Sequence, residues 1–242
     1  MNRLLLFFLL LTTAAFGQQR PPLPQPVRAF GQAAPSPPGE TQYGNNPQAG
    51  HYVQAGDAKI YYEVYGQGRP FLVLHGALFG STYELHQLLD SLRLRYQVIA
   101  VSTRGYGKSE LGHSPITFEQ KVDDVLAVLN AVTRDSAVIF GFSDGGHTGF
   151  KLASLHPERV RKLITLGAGE LYPGMRQFDF DVQHALLLDT AYFRQQRALM
   201  PEPQRLGELF AKTGAFYTLL TIDKTMFGAI RCPVLVMAGD RD

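Results

Sequence analysis

Cysteine is almost absent from this chain, which has one among its 242 residues, Cys232. A lone cysteine excludes a disulfide within the chain, and no neighbouring residue supports it as a nucleophile or as part of a metal site. Cys232 precedes Pro233 and an apolar run at residues 234–237. We therefore predict a small buried core residue at this position and no bound metal.

A strong excess of charge is also absent. Lys and Arg number 23 and Asp and Glu number 21, so the formal net charge is +2. This small imbalance does not favour a nucleic acid or an anionic membrane surface as a partner. The sequence gives no indication of the oligomeric state.

The apolar run near the N-terminus is short. It occupies residues 4–11, whereas a helix that spans a bilayer needs about 20 apolar residues. The run follows a basic start and ends in small residues, with Ala15-Phe16-Gly17 as a small-x-small cleavage site. These features predict a secretory signal peptide over residues 1–17 and export to the periplasm or the medium. The residue directly after the cleavage site is Gln18 and not a cysteine that could carry a lipid, so no membrane anchor is expected on the mature chain.

Residues 18–50 lack any apolar periodicity and are rich in proline, glutamine, glycine, alanine and serine. A segment of this composition cannot bury enough apolar surface to offset the loss of chain entropy on folding. We interpret it as an extended, largely disordered linker. The folded domain is then expected to occupy residues 51–242.

Within residues 51–242, apolar runs alternate with amphipathic stretches. Strands alternating with helices indicate an α/β fold, a mostly parallel twisted sheet with helices on both faces. The predicted strands are 51–53, 59–65, 71–74, 96–101, 137–140, 163–166 and 234–237, and the predicted helices between them are 82–92, 118–132 and 145–155.

The alternation is interrupted between Gly167 and Ile230, where two amphipathic helices are predicted without a strand between them, at 181–197 and 204–220. We expect a helical lid over about residues 169–230, because this insertion lies between two strands that carry site residues. Additional packing helices are the alternative. The lid is predicted to supply an apolar acyl pocket from Phe178, Phe180, Leu186, Leu187, Leu188, Tyr192 and Phe193.

A Gly-x-Ser-x-Gly motif, at residues 141–145, follows the fifth strand and precedes a helix. In that context the motif indicates a nucleophile elbow, in which a sharp turn lifts the Ser143 hydroxyl into a cleft. Gly141 and Gly145 have no Cβ, so strand and helix can approach closely. A glycine-rich turn whose serine caps the helix is the alternative interpretation.

Four stretches of the chain together resemble the α/β-hydrolase fold family. They are His75-Gly76-Ala77, the sequence Arg-Gly-Tyr-Gly-Lys-Ser at 104–109, the elbow at 141–146, and residues 232–242. The resemblance covers residues 51–242 and is greatest to the biphenyl hydrolase-like and haloperoxidase-like branches. Ser102 departs from the pattern, since many relatives have an acid before the Arg-Gly pair.

The resemblance implies a role for each matching residue. Ser143 is the expected nucleophile, and the backbone N–H groups of Asp144 and Ala77, or of Leu78 in place of Ala77, are expected to form the oxyanion hole. Leu78 and Asp144 are also expected to contact the substrate. The Asp144 carboxylate could bind a cationic group of the substrate, or could simply be an acid favoured by the dipole at a helix N-terminus.

In this fold the triad acid follows a late strand and precedes the histidine. The ending Gly239-Asp240-Arg241-Asp242 makes Asp242 the predicted acid, with Asp240 as its competitor.

All 7 histidines precede Asp242. His75 is expected to fix the loop that follows its strand, and His147 to point away from the nucleophile. His184, in the predicted lid, is the one that could overhang the cleft. The base is therefore predicted to lie beyond Asp242, in a chain truncated at its C-terminal end.

The resemblance implies a serine hydrolase acting on a small-molecule ester, lactone, thioester or amide, with no cofactor. A cofactor-free haloperoxidase or perhydrolase would use the same triad and remains an alternative. A hydrolase-like protein that binds a ligand without catalysis is the alternative from another class, and the missing base favours it.

Overall fold

The computed structural model describes residues 37–78, 80–175, 181–188 and 190–239. The predicted signal peptide and the first part of the predicted linker lie outside the described residues. The strands are β1 Gly50–Ala55, β2 Ala58–Tyr65, β3 Arg69–Leu74, β4 Tyr96–Val101, β5 Ala137–Phe142, β6 Val160–Leu166 and β7 Val234–Met237. The helices are α1 His86–Leu92, α2 Phe118–Val132, α3 Asp144–Leu155, α4 Val182–Leu188, α5 Thr190–Leu199, α6 Leu206–Leu219 and α7 Lys224–Ala229.

The seven strands form one sheet in the order β1-β2-β4-β3-β5-β6-β7. The pairs β1–β2 and β2–β4 are antiparallel, and the other four pairs are parallel. Parallel strands place their carboxyl ends at one edge, so the residues that follow β3, β5, β6 and β7 meet there. The predicted α/β fold with a mostly parallel sheet is confirmed.

The central strands are continuous apolar runs because helices cover both faces of the sheet. In β3 and β5 nearly every side chain is buried. On α2, an apolar face at Val122, Val125 and Leu129 packs into the core. Thr117 precedes this helix, and its hydroxyl accepts a hydrogen bond from the Gln120 N–H at 3.1 Å. This cap satisfies one of the N–H groups that a helix start leaves without an intrahelical partner.

Residues 37–50, the described C-terminal part of the predicted linker, include side chains packed on the domain, so the folded part begins before His51. Tyr43 is buried in the core against Tyr65. The fully buried Glu63 carboxylate accepts hydrogen bonds from the N–H groups of Gly44 and Asn46, each at 2.7 Å. The segment is polar in composition, and a single buried aromatic with a buried carboxylate holds it in place.

The described segment between β6 and β7 is helical, as predicted, but it contains four α-helices where the sequence predicted two. The predicted helix at 181–197 is two helices, α4 and α5. The prediction missed α7, whose six residues are too few for a clear apolar period, and whose first turn is capped by Asp223.

No helix among the described residues is both long and apolar enough to cross a membrane. Cys232 is half-buried rather than fully buried, and burial raises the pKa of its thiol.

Candidate active site

Ser143 occupies a strained turn between β5 and α3. Its backbone has φ 49° and ψ −112°, and residues with a Cβ rarely adopt a positive φ. A Cβ on Gly141 would overlap the carbonyl of Gly145, and a Cβ on Gly145 would overlap the carbonyl of Leu74. The Ser143 N–H donates to the Leu166 carbonyl of β6 at 2.8 Å. The turn is thus held in place by its neighbours, which is how such strain persists in a folded protein.

Ser143 opens into a cavity of about 270 Å³ at the carboxyl edge of the sheet. Its walls come from α3, from the segment after β6, from α6 and from the end of β7. The lining residues are Ser143, His147, Gly167, Ala168, Gly169, Glu170, Leu171, Tyr217, Val236 and Ala238.

The loop after β3 approaches the serine. A Cβ placed on Gly76 would be 3.5 Å from the Ser143 Cβ, so Ala77 follows a residue in near contact with Ser143. Leu78 has a positive φ of 63°, and its N–H donates to the Tyr106 hydroxyl at 2.8 Å. Because the Leu78 N–H already has an acceptor, Ala77 is the better candidate for the second oxyanion donor.

Asp144 begins α3, so its N–H has no acceptor within the helix and is free to face an anion. Its carboxylate is fully buried between the Lys121 ammonium, at 2.8 Å, and the Tyr217 hydroxyl, at 3.0 Å. Burial raises the pKa of the Asp144 carboxyl, but Lys121 and the hydrogen bond from Tyr217 outweigh burial and leave this pKa below its ordinary value. Both carboxylate oxygens thus have partners within the chain, which disfavours the alternative that Asp144 binds a substrate cation.

The histidine positions differ in part from the prediction. His147 lines the Ser143 cavity instead of pointing away from it, and its ring packs edge-on against Tyr217 with centroids 6.1 Å apart. A helical side chain leans toward the turn before it, which brings His147 back over the elbow. His184 is exposed on α4 and is not among the described residues that line this cavity.

His75 has contacts that fit the predicted structural role. Its Nδ1 lies 2.7 Å from the Gly76 carbonyl, and its Nε2 lies 3.0 Å from the Thr103 N–H. The backbone N–H must be the donor to Nε2, so Nδ1 carries the proton. Burial lowers the pKa of His75 to about 4. His75 therefore stays neutral at ordinary pH and links the loop after β3 to the residues after β4.

Four of the predicted site residues are not described by the structure. Asp242 and Asp240, and Phe178 and Phe180 of the predicted acyl pocket, lie outside the described residues.

The other residues of the predicted acyl pocket whose side chains are described, Leu186, Leu187, Tyr192 and Phe193, are not among the lining residues of the Ser143 cavity. Tyr192 and Phe193 are buried and line a separate cavity of about 30 Å³ with Tyr106, while Leu187 is exposed. The Ser143 cavity takes its apolar wall instead from Leu171, Tyr217 and Val236. The prediction missed these residues because each is distant in sequence from the elbow.

The described residues contain no cluster of three or more His, Cys, Asp or Glu side chains that could hold a metal ion. Glu170 is the carboxylate among the described lining residues of the Ser143 cavity, and it accepts a hydrogen bond from the Tyr172 hydroxyl at 2.5 Å.

Comparison with known proteins gives a family match and several relatives. The model of the α/β-hydrolase fold family matches residues 69–233. A protein of Azorhizobium caulinodans named "Putative carbamate hydrolase RutD" is 32% identical over 163 residues, which are 66% of this chain and 61% of that protein. The chain thus spans less than two thirds of this relative's length.

Solved structures share the fold. An esterase from Exiguobacterium antarcticum is 26% identical, with a TM-score of 0.60 over 80% of this chain and 82% of that chain. A serine hydrolase involved in carbazole degradation, CarC, is 22% identical, with a TM-score of 0.65 over 78% of this chain and 79% of that chain.

Proposed function

Because the chain belongs to the α/β-hydrolase fold family, we propose that it is a serine hydrolase that cleaves a small ester, lactone, thioester or amide with Ser143 as the nucleophile. The strained turn carries this proposal. A serine held at φ 49°, at the mouth of a cavity and at the start of a helix, is placed for attack on an acyl carbon.

Attack by the Ser143 hydroxyl on the acyl carbon produces a tetrahedral intermediate with a negatively charged oxygen. The N–H groups of Asp144 and Ala77 stabilise that oxygen in this proposal. Removing one such donor in a serine hydrolase raises the barrier by about 3–4 kcal/mol. The base that took the Ser143 proton gives it to the leaving group, which departs and leaves an acyl-enzyme. The base then takes a proton from a water that attacks the acyl carbon, and it returns this proton to the Ser143 oxygen as the acid product is released.

The proposed acid is Asp242, and the proposed base is a histidine that this acid orients. His147 is the competing base, since it lines the Ser143 cavity. A comparison of His147→Gln with the unchanged protein separates these assignments. Near-normal turnover by His147→Gln supports a base elsewhere, and a loss comparable to that of Ser143→Ala identifies His147 as the base.

The cavity suits a small acyl group. Its volume of about 270 Å³ is near the lower limit of ordinary ligand sites, and its wall mixes Leu171 and Val236 with the polar edges of Tyr217 and Glu170. Carbamates belong in the panel of test substrates because one relative bears a carbamate hydrolase name. Their acyl carbon would be attacked in the same way as that of an ester.

The test is the turnover of a substrate panel by the protein and by Ser143→Ala. The panel contains p-nitrophenyl acetate, butyrate and a p-nitrophenyl carbamate. We expect Ser143→Ala to lose at least about 10³-fold in kcat, as triad knockouts do. Ser114→Ala is the matched control, because Ser114 is not among the described residues that line the cavity, and it should retain full turnover. Equal turnover by Ser143→Ala and the unchanged protein would reject the proposal.

A further inference from the structure

The carboxylate of Asp144 joins three separate elements of the fold. Lys121 of α2 forms an ion pair with Oδ2 at 2.8 Å. Tyr217 of α6 donates its hydroxyl to Oδ1 at 3.0 Å. The Asp144 side chain is 1% exposed and that of Lys121 is 12% exposed. Both oxygens of a buried carboxylate are therefore fixed by residues from different helices.

Stability alone does not account for an ion pair in this position. Removing two charges from water opposes folding, and their attraction often only offsets that loss. The Lys121 ammonium also lies 5.4 Å from the centre of the Phe216 ring on α6, which adds a second contact between α2 and α6. We therefore ask which parts of the structure the ion pair between Lys121 and Asp144 holds in place.

One structure held in place is the peptide that supplies the oxyanion donor. The N–H and the side chain of Asp144 leave the same Cα, so fixing both carboxylate oxygens restricts rotation of the backbone there. The preceding Ser143 has a positive φ, and residues with a Cβ adopt such a conformation only where surrounding contacts enforce it.

The other structure held in place is the wall of the cavity. Tyr217 lines the Ser143 cavity and packs edge-on against His147. Nearer the start of α6, Lys212 donates to the carbonyl of His113 at 3.0 Å. The helix is therefore anchored to the scaffold at two points, and the point at Tyr217 is a bond to the residue after the nucleophile.

We propose that Lys121 and Tyr217 are positioning residues that act through the Asp144 carboxylate. Together they orient the Asp144 N–H toward the oxyanion and hold α6 against the nucleophile turn. This inference rests on the proposed function of Ser143, since it assigns the two residues to the rate of that reaction.

The kinetic test compares variants that remove each contact with variants that remove a similar contact elsewhere. Tyr217→Phe and Lys121→Met should each lower kcat about tenfold, with KM changed less than about twofold, because a small displacement of a donor slows the chemical step. The double variant should lose little more than either single variant, since both act through one carboxylate. Lys121→Arg should recover most of the rate.

Matched controls come from the same residue types. Tyr43→Phe removes a buried tyrosine hydrogen bond to Asp90, at 2.6 Å. Lys151→Met removes an ion pair with Glu119 at 3.0 Å. Both controls should keep kcat within about twofold of the unchanged protein. Losses in the controls equal to those in Tyr217→Phe and Lys121→Met would overturn the proposal.

Hydrogen exchange of the backbone amides provides a readout that does not depend on turnover. Tyr217→Phe should accelerate exchange in the second half of α6 and in the first turn of α3, whereas Tyr43→Phe should not. Unchanged exchange in both segments would overturn the proposal, even with an active enzyme. Accelerated exchange in a protein without hydrolase activity would retain the connection between α6 and the turn and would reject the proposed function alone.

Discussion

Strands β5 and β7 have similar apolar sequences and different surroundings. In β5, Ile139 is fully buried, between β3 and β6 and beneath α3. In β7, Leu235 is 54% exposed and Val236 is 55% exposed, and β7 pairs with β6 alone within the described residues. The apolar run thus determines that a strand forms, but the elements that pack on it determine how deeply it is buried.

The candidate site spans this difference. Ser143 follows β5 and is held by the surrounding backbone, whereas Val236 and Ala238, at the end of β7, form another part of the cavity wall. Ser143 therefore stands on the well-packed side of the site, and the wall at β7 stands on the exposed side.

Replacing one apolar side chain by alanine in each strand tests whether β5 and β7 differ in burial. Ile139→Ala should lower the free energy of unfolding by about 3–4 kcal/mol, since it leaves a cavity in a packed core. Leu235→Ala should lower it by less than about 1 kcal/mol, because that side chain is already half in water. Urea denaturation of both variants measures the two values. Equal losses would show that β7 is buried in solution.

The second prediction concerns the buried side of the site, where His75 follows β3. We expect the free energy of unfolding to depend on pH through this histidine. Its pKa is about 4 in the folded protein, against about 6.5 in an unfolded chain. The unfolded chain therefore binds the proton first as pH falls. Between about pH 6.5 and 4 this site should remove about 3 kcal/mol from the free energy of unfolding, and the loss is reversed as pH rises.

The contribution of His75 must be separated from that of Glu84. Burial raises the pKa of Glu84 to about 7, so Glu84 contributes stability at low pH that is lost as pH rises from about 4.5 toward 7. Glu84 is present in both the unchanged protein and His75→Gln, so its contribution cancels when their free energies of unfolding are subtracted at each pH. A difference that does not vary between pH 4 and 7 would mean that His75 titrates normally in the folded state.

The smallest expected effect concerns self-association at the exposed strand. An exposed apolar edge strand favours pairing with another chain. Leu235→Lys should therefore reduce light scattering at high protein concentration, with little effect on stability. Leu94 is 80% exposed outside any strand, so Leu94→Lys is the matched control and should not change the scattering. A similar reduction in both variants would mean that charge, rather than the edge of β7, is responsible.

Local patterns predicted much of the fold. The bounds of β4, α2 and β7 agree with the apolar runs and helical periods, and the motif at 141–145 lies on the predicted strand-to-helix turn. These features depend on neighbouring residues, so the sequence contains the whole signal for them.

Contacts between distant residues could not be predicted in the same way. Tyr217 is 73 residues from Asp144, and Lys121 is 23 residues from it. Neither helix carries a local signal for that partner. Tyr43 is held by contacts with Tyr65 and Asp90, which are distant in sequence. The sequence shows only the proline-rich composition around Tyr43, and that composition predicted a linker.

The assignment of Ser143 as the nucleophile is tested most directly by covalent labelling. The protein is treated with a fluorophosphonate, and the modified residue is located by peptide mass spectrometry. The account predicts one modification, on Ser143, that disappears in Ser143→Ala and persists in Ser114→Ala. Labelling of another residue in the unchanged protein, or labelling that survives Ser143→Ala, would contradict it.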